Sequence, residues 1–264
     1  MNFRELGLRA DMAEKCERLG FDEPTPIQKQ AIPVILEGGD VIGTAETGTG
    51  KTGAFLLPII QKVGENYRPG TTVLVLAPTR ELALQIETEC RKFSPKGITC
   101  TALIGGTGYG KQTQALKKGV NILIATPGRL IDFMEQGMVN LKGLTTLVLD
   151  EADRMLDMGF LPAIKRIVKA CPEKRQTLFF SATLAGEIEY IAQQFVKDPT
   201  YVEVARRGTA AVTIEQKAYP VAHQFKVPLL LDLLSKEDFD RVLIFTRTKR
   251  GADRIAHILE KQEH

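Results

Sequence analysis

Two stretches carry residue types at spacings that suit phosphate chemistry: AETGTGKT, from Ala45 to Thr52, and DEAD, from Asp150 to Asp153. The first follows the apolar run DVIGT and precedes GAFLLPII, so a strand, a loop and a helix come in order. Gly48 and Gly50 let the backbone curl so that N–H groups, with those of Thr47 and Thr49, point inward at phosphate oxygens. The positive end of the following helix adds to that field. Lys51 is spaced to reach the β- and γ-phosphates, and the Thr52 hydroxyl to ligate Mg²⁺. The general pattern asks for Gly where this chain has Ala45, so the match is to a variant. In the second stretch, which ends the run TTLVL, Asp150 suits a Mg²⁺ ligand, directly or through water. Glu151 suits orienting and deprotonating an attacking water. Read singly, these are a glycine-rich turn and a solvated acidic helix start. Read together they point to hydrolysis of ATP or GTP.

Such residues need a frame. Short apolar runs (DVIGT, TVLVLA, TALIG, NILIAT, TLVLD, TLFFS, YVEV) recur between helical stretches and are mostly continuous, as in strands buried on both faces of a parallel sheet. Their alternation with helices predicts an α/β layered fold. Nearly every run is followed at once by a polar or glycine-bearing cluster: AETGTGKT, PTREL, GGTGYG, TPGR, DEAD and SAT. In a parallel sheet these clusters share the carboxyl edge, where open α/β folds place their ligands. Upstream, Leu8, Met12, Cys16 and Leu19 are spaced like one face of a helix that Gly20 can stop.

The bulk numbers narrow the class. At 264 residues the chain exceeds a usual single domain of roughly 100–200, which predicts one large domain plus something smaller. A composition 44% hydrophobic and 25% charged is ordinary for a globular protein, and a net charge of +3 leaves any nucleic-acid contact to local patches. Cys16, Cys90, Cys100 and Cys171 show no CxxC spacing, which predicts buried or free thiols in a reducing compartment. His223, His257 and His264 read as incidental. The charged N-terminus lacks a signal-peptide core, and AFLLPII is too short to cross a bilayer; a soluble cytoplasmic protein is the expectation. After Val204, ARRGTAAVTIEQ suits a linker. A second alternation follows: strands near Ile214–Val221 and Val242–Phe245, with helices near Val227–Leu234 and across Ala252, Ile255, Ala256 and Leu259.

The motifs and their order resemble the DEAD-box ATP-dependent RNA helicases, of bacterial style. GFDEPTPIQ (Gly20–Gln28), AETGTGKT, PTRELA (Pro78–Ala83), GG (Gly105, Gly106), TPGR (Thr126–Arg129), DEAD, SAT (Ser181–Thr183) and LIFTRT (Leu243–Thr248) cover Phe3 to about Thr248, and Ala45 is what that family carries. The resemblance implies a RecA-like P-loop NTPase domain with a mostly parallel central sheet flanked by helices, plus a partial second α/β lobe. Residues 1–205 would be the N-terminal ATP-binding domain, 206–213 a linker, and 214–264 the incomplete start of the C-terminal domain. It implies ATP and Mg²⁺ as ligands. Phe21 would stack on adenine and Gln28 would read it, an amide offering the donor and acceptor that pair with N7 and the N6 amino group. Phe3 would brace this segment or simply fill the core.

The resemblance further implies RNA as partner. It would be held sequence-independently through its backbone by Thr79, Arg80, Gly106, Thr126, Gly128 and Arg129, groups that suit sugar-phosphate and carry no base information. Asp153, Ser181 and Thr183 would couple the ATP and RNA sites. The family's second lobe supplies arginine fingers in a motif resembling HRxGRxGR, which does not occur here. About 50 residues follow the linker, where a RecA-like lobe takes roughly 150, so the ending reads as the start of a lobe in a cut chain. Its apolar helix faces would then be exposed, favouring dimers or disorder. Two other readings stand beside the helicase: a P-loop ATPase acting on DNA or protein, and a non-catalytic module that holds ATP or RNA.

Overall fold

The computed structural model describes residues 1–46, 48–184, 186–204, 217–236 and 239–261. The chain divides into two compact units, residues 1–208 and 209–264. In the first, β1 (Val41–Thr44), β2 (Val73–Leu76), β3 (Cys100–Leu103), β4 (Ile122–Ala125), β5 (Thr146–Leu149), β6 (Gln176–Ser181) and β7 (Thr200–Glu203) form one sheet. Their order is β3-β4-β2-β5-β6-β1-β7, and every neighbouring pair is parallel. Each of the seven apolar runs expected as a strand in this unit is one. The inner strands are buried along their length, which is why their sequences are continuous rather than alternating.

Helices cover both faces. Val73 and Val75 of β2 pack with α1 (Ala10–Arg18), α2 (Pro26–Glu37), α3 (Lys51–Glu65) and α4 (Arg80–Phe93). Leu74 and Leu76, pointing the other way, pack with α6 (Pro127–Glu135), α7 (Ala152–Asp157), α8 (Leu161–Ala170) and α9 (Glu187–Gln193). Between α4 and α6 in the chain, α5 (Tyr109–Lys118) flanks the β3 edge of the sheet. Met12 and Cys16 of α1 are buried as the periodicity predicts, Leu19 is exposed at the helix end, and Phe3 is a core residue. All four cysteines are buried free thiols.

The amino edge of the sheet is closed by an internal polar network. Asp40, directly before β1, accepts the Thr177 N–H at 2.8 Å and the Lys197 N–H at 2.7 Å through its carboxylate. Its carbonyl accepts from Thr200 at 2.9 Å, so one residue aligns β6, β1 and β7. The Gln176 amide donates to the carbonyls of Ile35 and Gly39, and Lys62 donates to the Gln176 amide oxygen at 3.1 Å. These side chains spend their hydrogen-bonding capacity on the strand starts, so that edge is structural.

The second unit holds α10 (Lys226–Lys236), which follows a short 3-10 turn at His223–Phe225, and α11 (Lys249–Glu260), whose start is capped by the Thr248 hydroxyl accepting from Gly251 at 3.1 Å. Both helices match expectation. The expected strand at Val242–Phe245 is irregular chain instead, with Leu243 79% and Phe245 87% exposed. Residues 217–221 of the other expected strand are also irregular, and 214–216 lie outside the described residues, as does the expected linker at 206–213. An apolar run becomes a strand only when a neighbour completes its ladder, and among the described residues of this unit none does. The apolar faces expected to be exposed are half-buried at Leu229–Leu231, Leu233 and Leu234 of α10 and at Ile255, Ile258 and Leu259 of α11, with no fully buried residue in either helix. No helix of the described residues is long and apolar enough to cross a membrane.

Strand β1 approaches its neighbour closely at Gly43. A Cβ there would lie 2.5 Å from two ring carbons of Phe180, which is itself fully buried against Phe55. Gly43→Ala is expected to cost about 1–3 kcal/mol of stability through overpacking, read as a lower urea midpoint with an unchanged m-value.

Candidate functional site

Because all seven strands are parallel, the six polar clusters meet at one carboxyl rim, and strand order sorts them. Along the rim lie Gly105-Gly106 after β3, Thr126–Arg129 after β4, Thr79-Arg80 after β2, Asp150–Asp153 after β5, Ser181–Thr183 after β6 and Ala45–Thr52 after β1. Three clusters thus occupy one half and three the other. The Lys51 loop and the acidic cluster stand two strands apart, about 10 Å, with Ser181–Thr183 between them.

In the Lys51 loop, Gly48 and Gly50 both have φ in the left-handed region, +85° and +96°, which turns successive N–H groups toward one hollow. Only glycine serves at 50, because a Cβ there would lie 2.7 Å from both the Gln28 amide nitrogen and the Thr25 hydroxyl. Thr49 Oγ1 donates to the Glu46 carbonyl at 2.7 Å; Thr47 lies outside the described residues. Lys51, only 6% exposed, begins α3, and its Nζ is buried with no hydrogen-bond partner among the described residues. Thr52 follows it in the first turn, half-buried. A buried ammonium without a hydrogen bond costs free energy, so the loop is shaped for an anion that supplies one.

Gln28 ties this loop to α2. Its Oε1 accepts from the Thr25 N–H at 2.9 Å and its Nε2 donates to the Gly50 carbonyl at 3.1 Å. One amide hydrogen and one oxygen lone pair remain for a ligand, the complement expected for an adenine edge. Phe21, half-exposed, stands 5.5 Å from Phe93, ring centre to ring centre.

Asp150 is 2% exposed, and burial pushes its carboxyl up from 3.8 to about 6; the Lys51 charge pulls it back and the Glu151 charge adds to the rise. Glu151 N–H donates to Asp150 Oδ1 at 3.0 Å. Glu151 itself sits at φ +49°, a left-handed conformation costing about 1–2 kcal/mol for a residue with a side chain. Such strain persists where surrounding structure over-determines it, and it clusters at functional positions. Arg154 Nη1 holds Glu151 Oε2 at 3.2 Å. Asp153 Oδ2 accepts from Ala182 N–H at 3.1 Å, Thr183 N–H at 3.2 Å and Thr183 Oγ1 at 3.3 Å, while Ser181 Oγ donates to the Thr183 carbonyl at 2.6 Å. The three residues expected to act together are therefore one hydrogen-bonded unit. It reaches the Lys51 loop through the Ala45 N–H, which donates to the Ser181 carbonyl at 3.1 Å.

On the other half of the rim, Thr79 caps α4, its hydroxyl accepting from Leu82 N–H at 3.2 Å. Arg80 is exposed and packs its guanidinium over Gly106, which holds φ +70°. Gly128 is exposed with open space where a Cβ would stand, and Thr126 Oγ1 lies 3.5 Å from the Leu103 carbonyl. Arg129 differs from the exposed cation its motif suggests: it is 8% exposed and donates to the Thr107 carbonyl at 2.9 Å. The Tyr109 ring covers it at 4.1 Å. Its side chain therefore braces the Gly105–Thr107 loop from beneath, with Nε and Nη1 buried and lacking a hydrogen-bond partner among the described residues.

Sequence reasoning passed over Tyr109 and Arg154. A Glu-Arg pair three apart at a helix start was a readable signal for Arg154; nothing local marked Tyr109, which meets Arg129 only through the fold. Thr25 and Gln28, spaced as a capping box, were legible as a helix start.

Against known proteins, the DEAD/DEAH box helicase family matches residues 25–191. The chain is 42% identical over 98% of its length to the DEAD-box ATP-dependent RNA helicase CshA of Streptococcus pneumoniae, of which it covers 50%. It is 47% identical over 97% to the DEAD-box ATP-dependent RNA helicase 30 of Arabidopsis thaliana, covering 45%. Among solved structures, a DEAD box protein from the hyperthermophile Methanococcus jannaschii superposes with a TM-score of 0.73 at 35% identity, over 99% of this chain and 70% of that one. The chain spans about half the length of the curated relatives it matches.

Burial of Asp150 has a measurable consequence. Between about pH 4 and pH 6 the folded protein holds a proton there that the unfolded chain has released, so stability falls as pH rises through that window. The loss is on the order of 3 kcal/mol, complete above about pH 6. Asp150→Asn removes this slope; denaturant unfolding of both proteins from pH 4 to 7 reads it as a difference in stability that changes with pH.

Proposed function

We propose, because this chain belongs to the DEAD/DEAH box helicase family, that it is the ATP-binding lobe of an RNA-dependent ATPase that opens short RNA duplexes or remodels RNA–protein contacts. The observation that carries the reading is the buried, unpartnered Lys51 ammonium in a glycine-turned loop, with its charge felt at Asp150 two strands away. ATP with Mg²⁺ supplies the transferable phosphoryl group and part of the charge neutralisation its transfer needs. Gly48, Thr49 and Gly50, with Thr47, present backbone N–H groups to the phosphates, and Lys51 answers their charge at Nζ. Phe21 stacks on the base while Gln28 reads it, which favours ATP over GTP. Thr52 and Asp150 hold the metal. Two protein oxygens suit a cation that keeps several waters and takes phosphate oxygens besides, and among the described residues no larger metal-holding cluster exists. Glu151, oriented by Arg154, takes the proton of the attacking water at its carboxylate.

RNA lies across the other half of the rim, held through its backbone by Thr79, Arg80, Gly106, Thr126 and Gly128, without base readout. Arg129 acts there by shaping the Gly106–Thr107 loop. Asp153, Ser181 and Thr183, standing between the halves, couple them. Residues 1–205 form this domain, 206–213 the linker and 214–264 the first part of the next. The protein works in the cytoplasm, a location its four free thiols suit. A non-catalytic ATP- or RNA-binding module uses the same groups without turnover; the strained Glu151 favours the enzyme.

An arginine finger is typically worth about 10³–10⁵ in rate, and HRxGRxGR does not occur in this sequence. The chain alone is thus expected to bind Mg·ATP weakly, hydrolyse it slowly and leave duplexes closed; a steady-state assay with strong RNA stimulation would contradict this. Lys51→Ala is expected to abolish binding of a fluorescent ATP analogue. Glu151→Gln should retain binding and lose hydrolysis in long single-turnover incubations. Hydrolysis at the parent rate by Glu151→Gln would remove the general-base assignment.

A further inference from the structure

Strand β3 ends the sheet, and the chain around it carries cations that the site described above does not use. Two grooves run along its open side. One, of about 620 Å³, is lined among others by Arg91, Lys96, Lys111 and Lys118 and contains no acid. The other, of about 700 Å³, shares Thr101 and Lys111 with the first and continues to Thr107 and Gly108, next to Gly106 on the rim. Its one carboxylate, Glu87, is already paired with Arg91 at 2.6 Å. Lys96, Lys111 and Lys118 are exposed and form no ion pair among the described residues. In a protein whose net charge is only +3, this is a concentrated positive track leading away from the rim.

An open sheet edge could instead receive a peptide strand, but this one is capped against it. Thr99 and Leu103 direct their carbonyls to the β4 side, where they accept from Ile122 and Thr126, so Cys100, Ala102 and Ile104 face outward. Arg91 Nη2 donates to the Cys100 carbonyl at 3.0 Å. The Gln112 amide satisfies both Ile104 N–H, at 3.0 Å, and its carbonyl, at 3.2 Å. Ala102 alone keeps an edge pair to offer, too little for a ladder. What stays accessible is flexible ammonium groups above a shallow trough, which suits a phosphate backbone.

We propose that a single strand of RNA leaving the rim at Gly106 continues along this groove, its phosphates neutralised by Lys111 and Lys118 with Lys96 beyond, so that the lobe's footprint extends past the sheet edge. The inference rests on the reading that RNA crosses the rim, and the experiment separates the two. Fluorescence anisotropy of the chain with single-stranded RNAs of about 6 and about 20 nucleotides, across a salt series, compares the parent with the double variant Lys111→Glu, Lys118→Glu. The expected result is tighter binding of the longer strand, a loss of about tenfold for that strand alone in the variant, and a salt dependence shallower by about 1–2 in slope. Binding of a fluorescent ATP analogue should be unchanged, which reports an intact fold. If the longer strand gains nothing, or its gain survives both substitutions, the groove is not an RNA path while the rim reading stands. Failure of both lengths to bind overturns the rim reading and the groove with it. An acidic peptide whose binding the variant loses, with no length effect for RNA, reassigns the groove to protein.

Discussion

A strand that runs parallel to its neighbour must cross the sheet to start the next one, and seven such strands leave every crossover loop's beginning on the same side. That directional constraint makes this molecule a site rather than a scatter of motifs. Each strand delivers its chain to the carboxyl rim and stops there with polar groups the ladder does not use. At the opposite edge Asp40 accepts the Thr177 and Lys197 N–H groups, and Gln176 is held between Lys62 and the Ile35 and Gly39 carbonyls, which locks the strand starts. One edge is sealed and the other holds open donors and charges, an asymmetry that follows from connectivity before any particular residue is considered.

Within the rim, the unit joining Asp153 to Ala182 and Thr183 occupies the middle position by virtue of strand order. Its carboxylate belongs to the helix after β5, its donors to the turn after β6, and the Ser181 carbonyl touches the loop after β1. The Lys51 loop is thus joined to Asp153 through short, directional hydrogen bonds rather than through side-chain packing alone. The two halves of the rim remain chemically distinct, one built to answer concentrated negative charge with a buried ammonium, the other offering a surface arginine, hydroxyls and accessible backbone.

Much of this was legible from residue order. The seven runs and their trailing clusters announced the sheet and its rim, because strands buried on two faces must be continuously apolar and ligand loops must interrupt them. Strand order was not legible: nothing local in TLFFS says that it lies between TLVLD and DVIGT. The inward placement of Arg129 was hidden for the same reason, since Tyr109 and Thr107 meet it only once β3 and β4 pair. Val242–Phe245 shows the converse error, strand-like composition without a neighbour among the described residues to complete it. Local pattern reports what a segment can become, and the partner decides what it is.

The backbone at Glu151 stores strain that glycine or asparagine would relieve, since both adopt a positive φ at little cost. Backbone energy alone therefore favours glycine or asparagine at position 151, and the glutamate stands there at a cost of about 1–2 kcal/mol. Replacing Glu151 by glycine would therefore trade a carboxylate for thermal tolerance, and the balance between the two is set at this one backbone angle.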